Sequence, residues 1–323
     1  MKITSLHIKN FKSIVDLEII EPNPFTVFVG PNGAGKSNIF EALEFFDFGY
    51  KYSETTINIF GGRETFCNRG NIDKDVIVNF RFNESYTVNC YKLNGSISLS
   101  RFGGSGYITD ASYESPEVER FLNSNVFSRI FVKNKDIQRI NLSDSRRLSL
   151  SCENLEKVLK RILKDRAKEE EIFEWMQLLI PEFANIEIDG DNKLNIREKY
   201  SSEPFEKSLI SDGTFNILAL LTAVYQSDEP QFLCIEEPEN GLNPFVIRKL
   251  VDFFRAACAE KGHYIWLNTH SQTLVECLNP EEVIVVDKIG GETKIKQIKG
   301  MNLHGLDMAE VWLSGALGGG TPW

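Results

Sequence analysis

The spacing of apolar positions along this 323-residue chain changes several times, and each change marks an element. ITSLHIKNF (3–11) alternates apolar and polar residues as a half-buried strand does. Pro22 and Pro24 then punctuate the chain before FTVFV (25–29), a continuous apolar run typical of a strand covered on both faces. Residues 1–29 therefore predict two strands around a turn. Gly-rich GPNGAGKS follows, and NIFEALEFF (38–46) has helical spacing. VIVNFRF (76–82), YTVNCYKL (86–93) and SISLSRF (96–102) are short alternating segments broken by Asn-Gly and Gly-Gly, so the stretch 55–110 reads as β-rich.

Beyond residue 110 the pattern turns helical. ESPEVERFLNS opens with a Ser115 cap, Pro116 at the first helical position and Glu117 in the first turn, though Val118 leaves the capping box incomplete. The segment 154–180 keeps helical period up to Pro181 and predicts one helix of about 27 residues, roughly 40 Å long. NIEIDGDNKLNI (185–196) predicts a hairpin around Asp189–Gly190. Helix and buried strand then alternate: 214–226, 231–237, 244–262, 264–270 and 281–288. Such alternation predicts a largely parallel sheet with helices on both faces.

Composition narrows the class. Hydrophobic residues at 42% and charged residues at 25% exclude a disordered or fibrous chain. Lys plus Arg (36) less Asp plus Glu (46) gives −10, which argues against broad coating of nucleic acid or anionic membrane. No apolar run approaches the ~20 residues of a membrane span, and the N-terminus lacks a signal-peptide core. Cys67, Cys90, Cys152, Cys234, Cys258 and Cys277 are scattered without a C-x-x-C pair. The expectation is a reduced, cytoplasmic protein with no disulfide framework, zinc knuckle or membrane contact.

Gly30-Pro31-Asn32-Gly33-Ala34-Gly35-Lys36-Ser37 satisfies G-x-x-x-x-G-K-[ST] between a predicted strand and a predicted helix, the context a phosphate-binding loop needs. Glycines let successive N–H groups turn toward phosphates, and the helix start adds its dipole. Asn32, Gly33, Ala34, Gly35, Lys36, Ser37 and Asn38 are the candidate nucleotide contacts, with Lys36 reaching the β- and γ-phosphates and the Ser37 hydroxyl ligating Mg²⁺. An acid at another strand end must share the metal. The run 231–235 ends in Glu236-Glu237, so Glu236 is the metal partner and Glu237 the group that polarises water. The strand 264–269 delivers Thr269-His270 to the edge where such sheets bind ligands, making His270 a third catalytic candidate beside Lys36 and Glu237.

GPNGAGKSN (30–38), LISDGTFNILALL (209–221), IEEPENGLNP (235–244) and NTHS (268–271) together resemble the ABC-class ATPases, in particular their RecF/SMC-like branch of AAA-type ATP-binding proteins. ITSLHIKNFKSI (3–14) and WLSGALGG (312–319) are similar to segments of small ATPases from antiphage defence systems. The resemblance implies an α/β ABC-ATPase head: a P-loop sheet with helices on both faces, an N-terminal antiparallel β subdomain and a helical insertion. It implies one domain over 1–323, with a P-loop and β-rich lobe (1–110), a helical insertion and hairpin (111–200), and a lobe carrying signature, Walker B, D-loop and His switch (201–323). Ser211, Asp212 and Gly213 stand where the family's signature contacts ATP held by a second subunit, and Asn240-Gly241-Leu242-Asn243 matches the D-loop, with Asn243 a further nucleotide contact. The partners implied are a second copy or higher homo-oligomer, ATP with Mg²⁺, and a separate effector such as a nuclease. I-S-D-G-T in place of L-S-G-G-Q disfavours transport. For the Q-loop, Asn68 and Arg69 are the nearest candidates within 60–80.

The 38–208 stretch is too short for a long paired coiled coil, and no toprim-like acidic segment follows the ATPase motifs, so an effector is expected on another polypeptide. Between 129 and 168, twelve basic residues face five acids, a surplus of seven. They are Arg129, Lys133, Lys135, Arg139, Arg146, Arg147, Lys157, Lys160, Arg161, Lys164, Arg166 and Lys168, with Glu156 spaced to pair Lys160. This is either a solvated helix face or a docking surface for nucleic acid or an acidic partner. Three functions stand open: an ATPase gating an effector, a DNA-repair clamp, and a nucleotide-dependent scaffold with little turnover.

Overall fold

The computed structural model describes residues 2–52, 55–82, 86–93, 96–103, 106–107, 127–132, 145–303, 305–315 and 317. The helix expected from Ser115 lies outside the described residues, as do Lys133, Lys135, Arg139 and residues 316, 318 and 319 of the closing segment. In chain order the strands are β1 (Ile3–Phe11), β2 (Ile14–Ile20), β3 (Phe25–Val29), β4 (Ile77–Phe82), β5 (Tyr86–Leu93), β6 (Ser96–Gly103), β7 (Gly106–Tyr107), β8 (Phe127–Ile130), β9 (Phe183–Ile188), β10 (Leu194–Glu198), β11 (Phe205–Glu206), β12 (Phe232–Glu236), β13 (Tyr264–Thr269), β14 (Val283–Ile289) and β15 (Glu292–Gln297). The α-helices are α1 (Lys36–Tyr52), α2 (Thr55–Ile59), α3 (Arg63–Phe66), α4 (Leu155–Ile162), α5 (Arg166–Leu179), α6 (Asp212–Tyr225), α7 (Pro244–Lys261), α8 (Gln272–Glu276) and α9 (Met308–Leu313).

The central sheet has the order β15-β14-β3-β13-β12-β8. Its strands run parallel from β14 to β8, and only the β15 edge is antiparallel. Period-two alternation divides its side chains between two cores. Val27, Val29, Leu233, Ile235, Ile265 and Leu267 pack with α4, α5, α6 and α7. Phe28, Phe232, Cys234 and Trp266 face the other way, onto α1 and the antiparallel sheet β2-β1-β4-β5-β6-β7. Both faces being covered explains why these strands read as unbroken apolar runs. A third sheet, β11-β10-β9, contains the hairpin foreseen at Asp189–Gly190.

Two expectations are corrected. Residues 1–29 hold three strands, because IVDLEII forms β2, paired antiparallel with β1 across a turn at Lys12–Ser13. It alternates from Asp16 to Ile20, with Leu17 and Ile19 buried between exposed Asp16, Glu18 and Ile20, and Ile14 is buried at its start. The single helix over 154–180 is two. α4 buries Leu155, Val158, Leu159 and Ile162; the stripe then lapses over polar 164–171 and resumes at Ile172, Met176 and Leu179 in α5. Asp165 starts the second helix, its carboxylate accepting from Ala167 N at 3.1 Å. Both helices lie on α6 instead of forming a 40 Å arm. Glu156 also leaves Lys160 for Lys207, 2.5 Å away.

Candidate functional site

Parallel register brings three strand ends together: Thr269 stands beside Val29, and Asn268 beside Glu236. From this edge β3 runs into Gly30 and on to α1, which begins at Lys36. A Cβ on Gly30 would lie 2.0 Å from the Val286 carbonyl oxygen, and one on Gly35 (φ +104°) 2.0 Å from Thr293 Oγ1, so neither position admits a side chain. The loop is braced from below. Thr293 Oγ1 donates to the Ala34 carbonyl at 2.8 Å and lies 2.6 Å from Ser13 Oγ. The Asn38 amide donates to that same Ser13 oxygen at 2.6 Å. Asn38 thus supports the loop with its side chain, while Asn32 and Gly33 are exposed at its tip. Ser13 and Thr293 escaped sequence reasoning, since neither belongs to the motif they hold.

Lys36 Nζ donates to the carbonyls of Gly30 (2.7 Å) and Pro31 (3.0 Å) at the mouth of the loop. Burial pushes its ammonium pKa down to about 8, against the opposing pull of Glu237, Glu236 and Glu239. The Ser37 hydroxyl donates to Glu236 Oε2 at 2.5 Å, and Asn268 Nδ2 donates to the same oxygen at 3.0 Å. A hydroxyl and a carboxylate oxygen side by side at a phosphate loop are the hard donors Mg²⁺ takes alongside substrate phosphates, so Ser37 and Glu236 fit that ion.

Glu237 adopts φ +46°, a left-handed backbone uncommon for a residue with a side chain. Its N–H is shared between Asn268 O and Asn268 Oδ1, each at 3.1 Å, and its Oε2 accepts from Asn240 at 2.9 Å. Glu239 Oε1 accepts from Thr269 Oγ1 (2.6 Å) and His270 N (3.1 Å), whereas its Oε2 is buried without a partner. Burial accordingly raises the Glu239 pKa. His270 is solvent-exposed at the rim; partial desolvation and the Lys36 ammonium hold its imidazole below the usual pKa. Sequence reasoning missed Asn268 and Glu239. Their signals were a polar residue within YIWLNT and a third acid just after Pro238.

The signature residues stand apart from this edge, on the tip of α6. Ser211 Oγ accepts from Thr214 N at 3.1 Å as an N-cap, with Ser211 and Asp212 exposed. A Cβ on Gly213 would meet the Gly241 carbonyl oxygen at 2.6 Å, and Asn216 donates to the carbonyls of Pro238 and Asn240, both at 2.9 Å. α6 and the 238–241 loop therefore form one unit behind Glu237. Asn243 uses its side chain to cap α7, accepting from Val246 N at 3.0 Å.

Among the described residues the basic stretch does not form one face. Arg129 is buried against Glu236 and Glu44, and Arg147 against Asp47 and the Phe127 carbonyl. Lys160 donates to Asp189 O and Asn192, Arg161 to the carbonyls of Ser145, Arg146 and Gln226, and Lys168 to Asp228. These five cations hold the fold. Asn68 and Arg69, the Q-loop candidates, instead line a cleft of about 930 Å³ with Lys12, Ser13, Gly290 and Gly291. Asn68 ties that cleft to the β1–β2 turn, donating to the Lys12 carbonyl at 2.7 Å.

Comparison with known proteins agrees with this architecture. An SMC head solved with the C-terminal winged-helix domain of ScpA superposes with TM-score 0.64 at 16% identity, over 92% of this chain and 97% of that one. The SMC head domain of Thermotoga maritima gives 0.54 at 18% identity, over 93% and 100%. In sequence, the chromosome partition protein Smc of Methanocaldococcus jannaschii is 36% identical over 84 residues, 26% of this chain but only 7% of that protein. Its counterpart from Methanococcus voltae is 42% identical over 45 residues, 14% of this chain and 4% of that protein. No helix among the described residues is long and apolar enough to cross a membrane. Residues 25–276 match the family described as "AAA domain, putative AbiEii toxin, Type IV TA system", and the chain belongs to that family of ABC/SMC-like AAA ATPases.

Proposed function

We propose that this protein binds and hydrolyses ATP, that two copies close around ATP, and that the cycle gates a separate effector in antiphage defence. The observation that carries the reading is the strand-end register that sets Ser37, Glu236 and Glu237 at one edge with the phosphate loop. The loop N–H groups and Lys36 would hold the β- and γ-phosphates. Ser37 and Glu236 would hold Mg²⁺, which supplies charge neutralisation at the transferring phosphoryl group. Glu237, fixed by Asn268 and Asn240, would orient the attacking water, and His270 would contact the γ-phosphate from the rim. The cleft beside Ser13 provides room for the nucleoside.

Dimerisation is supported by what surrounds the signature. Ser211 and Asp212 are exposed on a helix start suited to phosphate, and the apolar Leu209 two residues before Ser211 is 69% exposed. A partner's ATP would cover both features, and ADP would bridge the copies less well. The family description and the resemblance to antiphage ATPases support the biological setting.

Steady-state hydrolysis measured across protein concentrations tests the reading, with Glu237→Gln as control. A specific rate that climbs with concentration and vanishes in the variant is expected. Activity equal in both proteins would overturn the assignment of Glu237.

A further inference from the structure

A buried cluster of charge lies behind the phosphate loop, and of its members only Glu236 belongs to the motifs. Arg129 on β8 sits beside Cys234 of β12, on the sheet face that α1 covers, with its side chain 2% exposed. Its Nε and Nη2 grip Glu236 Oε1 at 2.6 and 2.5 Å, its Nη1 donates to Glu44 Oε2 at 2.9 Å, and Nη2 lies 3.5 Å from Glu41 Oε1. Lys12 from the β1–β2 turn pairs with Glu41 in turn. Three carboxylates thus surround one guanidinium out of water, an arrangement whose desolvation cost makes it a weak device for stability alone.

What it does is divide the two oxygens of Glu236. Oε1 belongs wholly to Arg129, while Oε2 meets the Ser37 hydroxyl and the Asn268 amide. We propose that Arg129 is the positioning residue for the metal-bearing carboxylate: its fork, held from behind by Glu44 and Glu41, fixes the carboxylate plane so that only Oε2 faces the phosphate loop. This rests on the nucleotide-binding reading above. A guanidinium suits the task because it offers several donors in one rigid plane; an ammonium would keep the charge and lose the alignment.

The sign of the effect separates positioning from charge. Simple electrostatics says that removing a cation near Mg²⁺ tightens metal binding. Two variants avoid that confusion by conserving net charge: Arg129→Lys, and Arg129→Met combined with Glu44→Gln. Binding of a fluorescent ATP analogue, read by anisotropy, is titrated first in EDTA and then against Mg²⁺, with melting temperature recorded for each protein. Both variants are expected to bind nucleotide in EDTA as the parent does, since Lys36 and the loop are untouched. Both should need about tenfold more Mg²⁺ for half-saturation, the usual cost of losing a group that orients a metal ligand. Folded variants with the parent's Mg²⁺ midpoint would overturn the proposal. If neither variant folds, Glu44→Asp alone decides, because it keeps the charge while drawing the brace away from Arg129: a raised midpoint supports positioning, and a lower melting temperature with an unmoved midpoint overturns it. A parent chain that binds no nucleotide in EDTA or Mg²⁺ would instead overturn the nucleotide-binding reading beneath it.

Discussion

The lowered pKa of Lys36 makes nucleotide affinity depend on pH in a defined direction. Burial depresses the ammonium to about 8 although three carboxylates oppose the shift. The protonated form is the one that binds phosphate, so affinity is full below 8 and is lost as pH rises through it. Apparent Kd scales as the inverse of the competent fraction. That fraction is near 0.9 at pH 7 and near 0.1 at pH 9, so Kd should rise about tenfold over this interval. Bound phosphates raise the pKa in the complex, which produces net proton uptake on binding above pH 8. The assay is titration of a fluorescent ATP analogue in EDTA at pH 7, 8 and 9, with calorimetry in two buffers of different ionisation enthalpy to count protons. Lys36→Arg is the control, because a guanidinium stays charged throughout and its profile should be flat. An equal Kd at pH 7 and 9 in the parent, or the same slope in Lys36→Arg, would refute the reasoning.

Two further perturbations follow from buried groups. His263 is fully buried, its Nδ1 accepting from Gln231 N at 3.2 Å, and desolvation lowers its pKa to about 4. It is neutral in both folded and unfolded chains above pH 6.5; as pH falls from 6.5 toward 4 the unfolded chain protonates first, and stability drops by about 3 kcal/mol from this group. Urea unfolding of the parent and His263→Gln at pH 7 and pH 4.5 should show a shallower acid loss in the variant, and parallel losses would remove His263 from the account. Gly213→Ala places a methyl 2.6 Å from the Gly241 carbonyl oxygen and forces α6 off the 238–241 loop. It should cost about 1–3 kcal/mol in stability and abolish turnover while analogue binding to the phosphate loop survives; normal hydrolysis would show that this contact is dispensable.

Features encoded by adjacent residues were legible in the sequence. The phosphate loop needs glycines at fixed spacing next to a strand and a helix, and all of that information is local. The place of Glu236 and Glu237 at a strand end was legible because an apolar run leads to them, and the parallel sheet because helix and strand alternate. Features that depend on distant pairing were not. Arg129 looked like one cation among twelve, since its partners Glu236, Glu44 and Glu41 come from two other elements. The break after Ile162 was visible as a lapse in the apolar stripe, yet high helix propensity in LKDRAKEEE concealed it. Ser13 and Thr293, 280 residues apart, meet beneath the loop only because β15 closes the sheet.

The central claim is that each ATP site is shared between two chains, and complementation tests it most directly. Lys36→Ala disables the phosphate loop and Ser211→Arg blocks the signature, so each homodimer should be inactive. Mixed in equal amounts, half of the dimers are heterodimers, and each joins one intact phosphate loop to one intact signature. ATPase activity of the mixture should therefore return to about a quarter of the parent value. Two inactive variants that stay inactive when mixed, while shown by mass measurement to exchange subunits, would contradict the shared site.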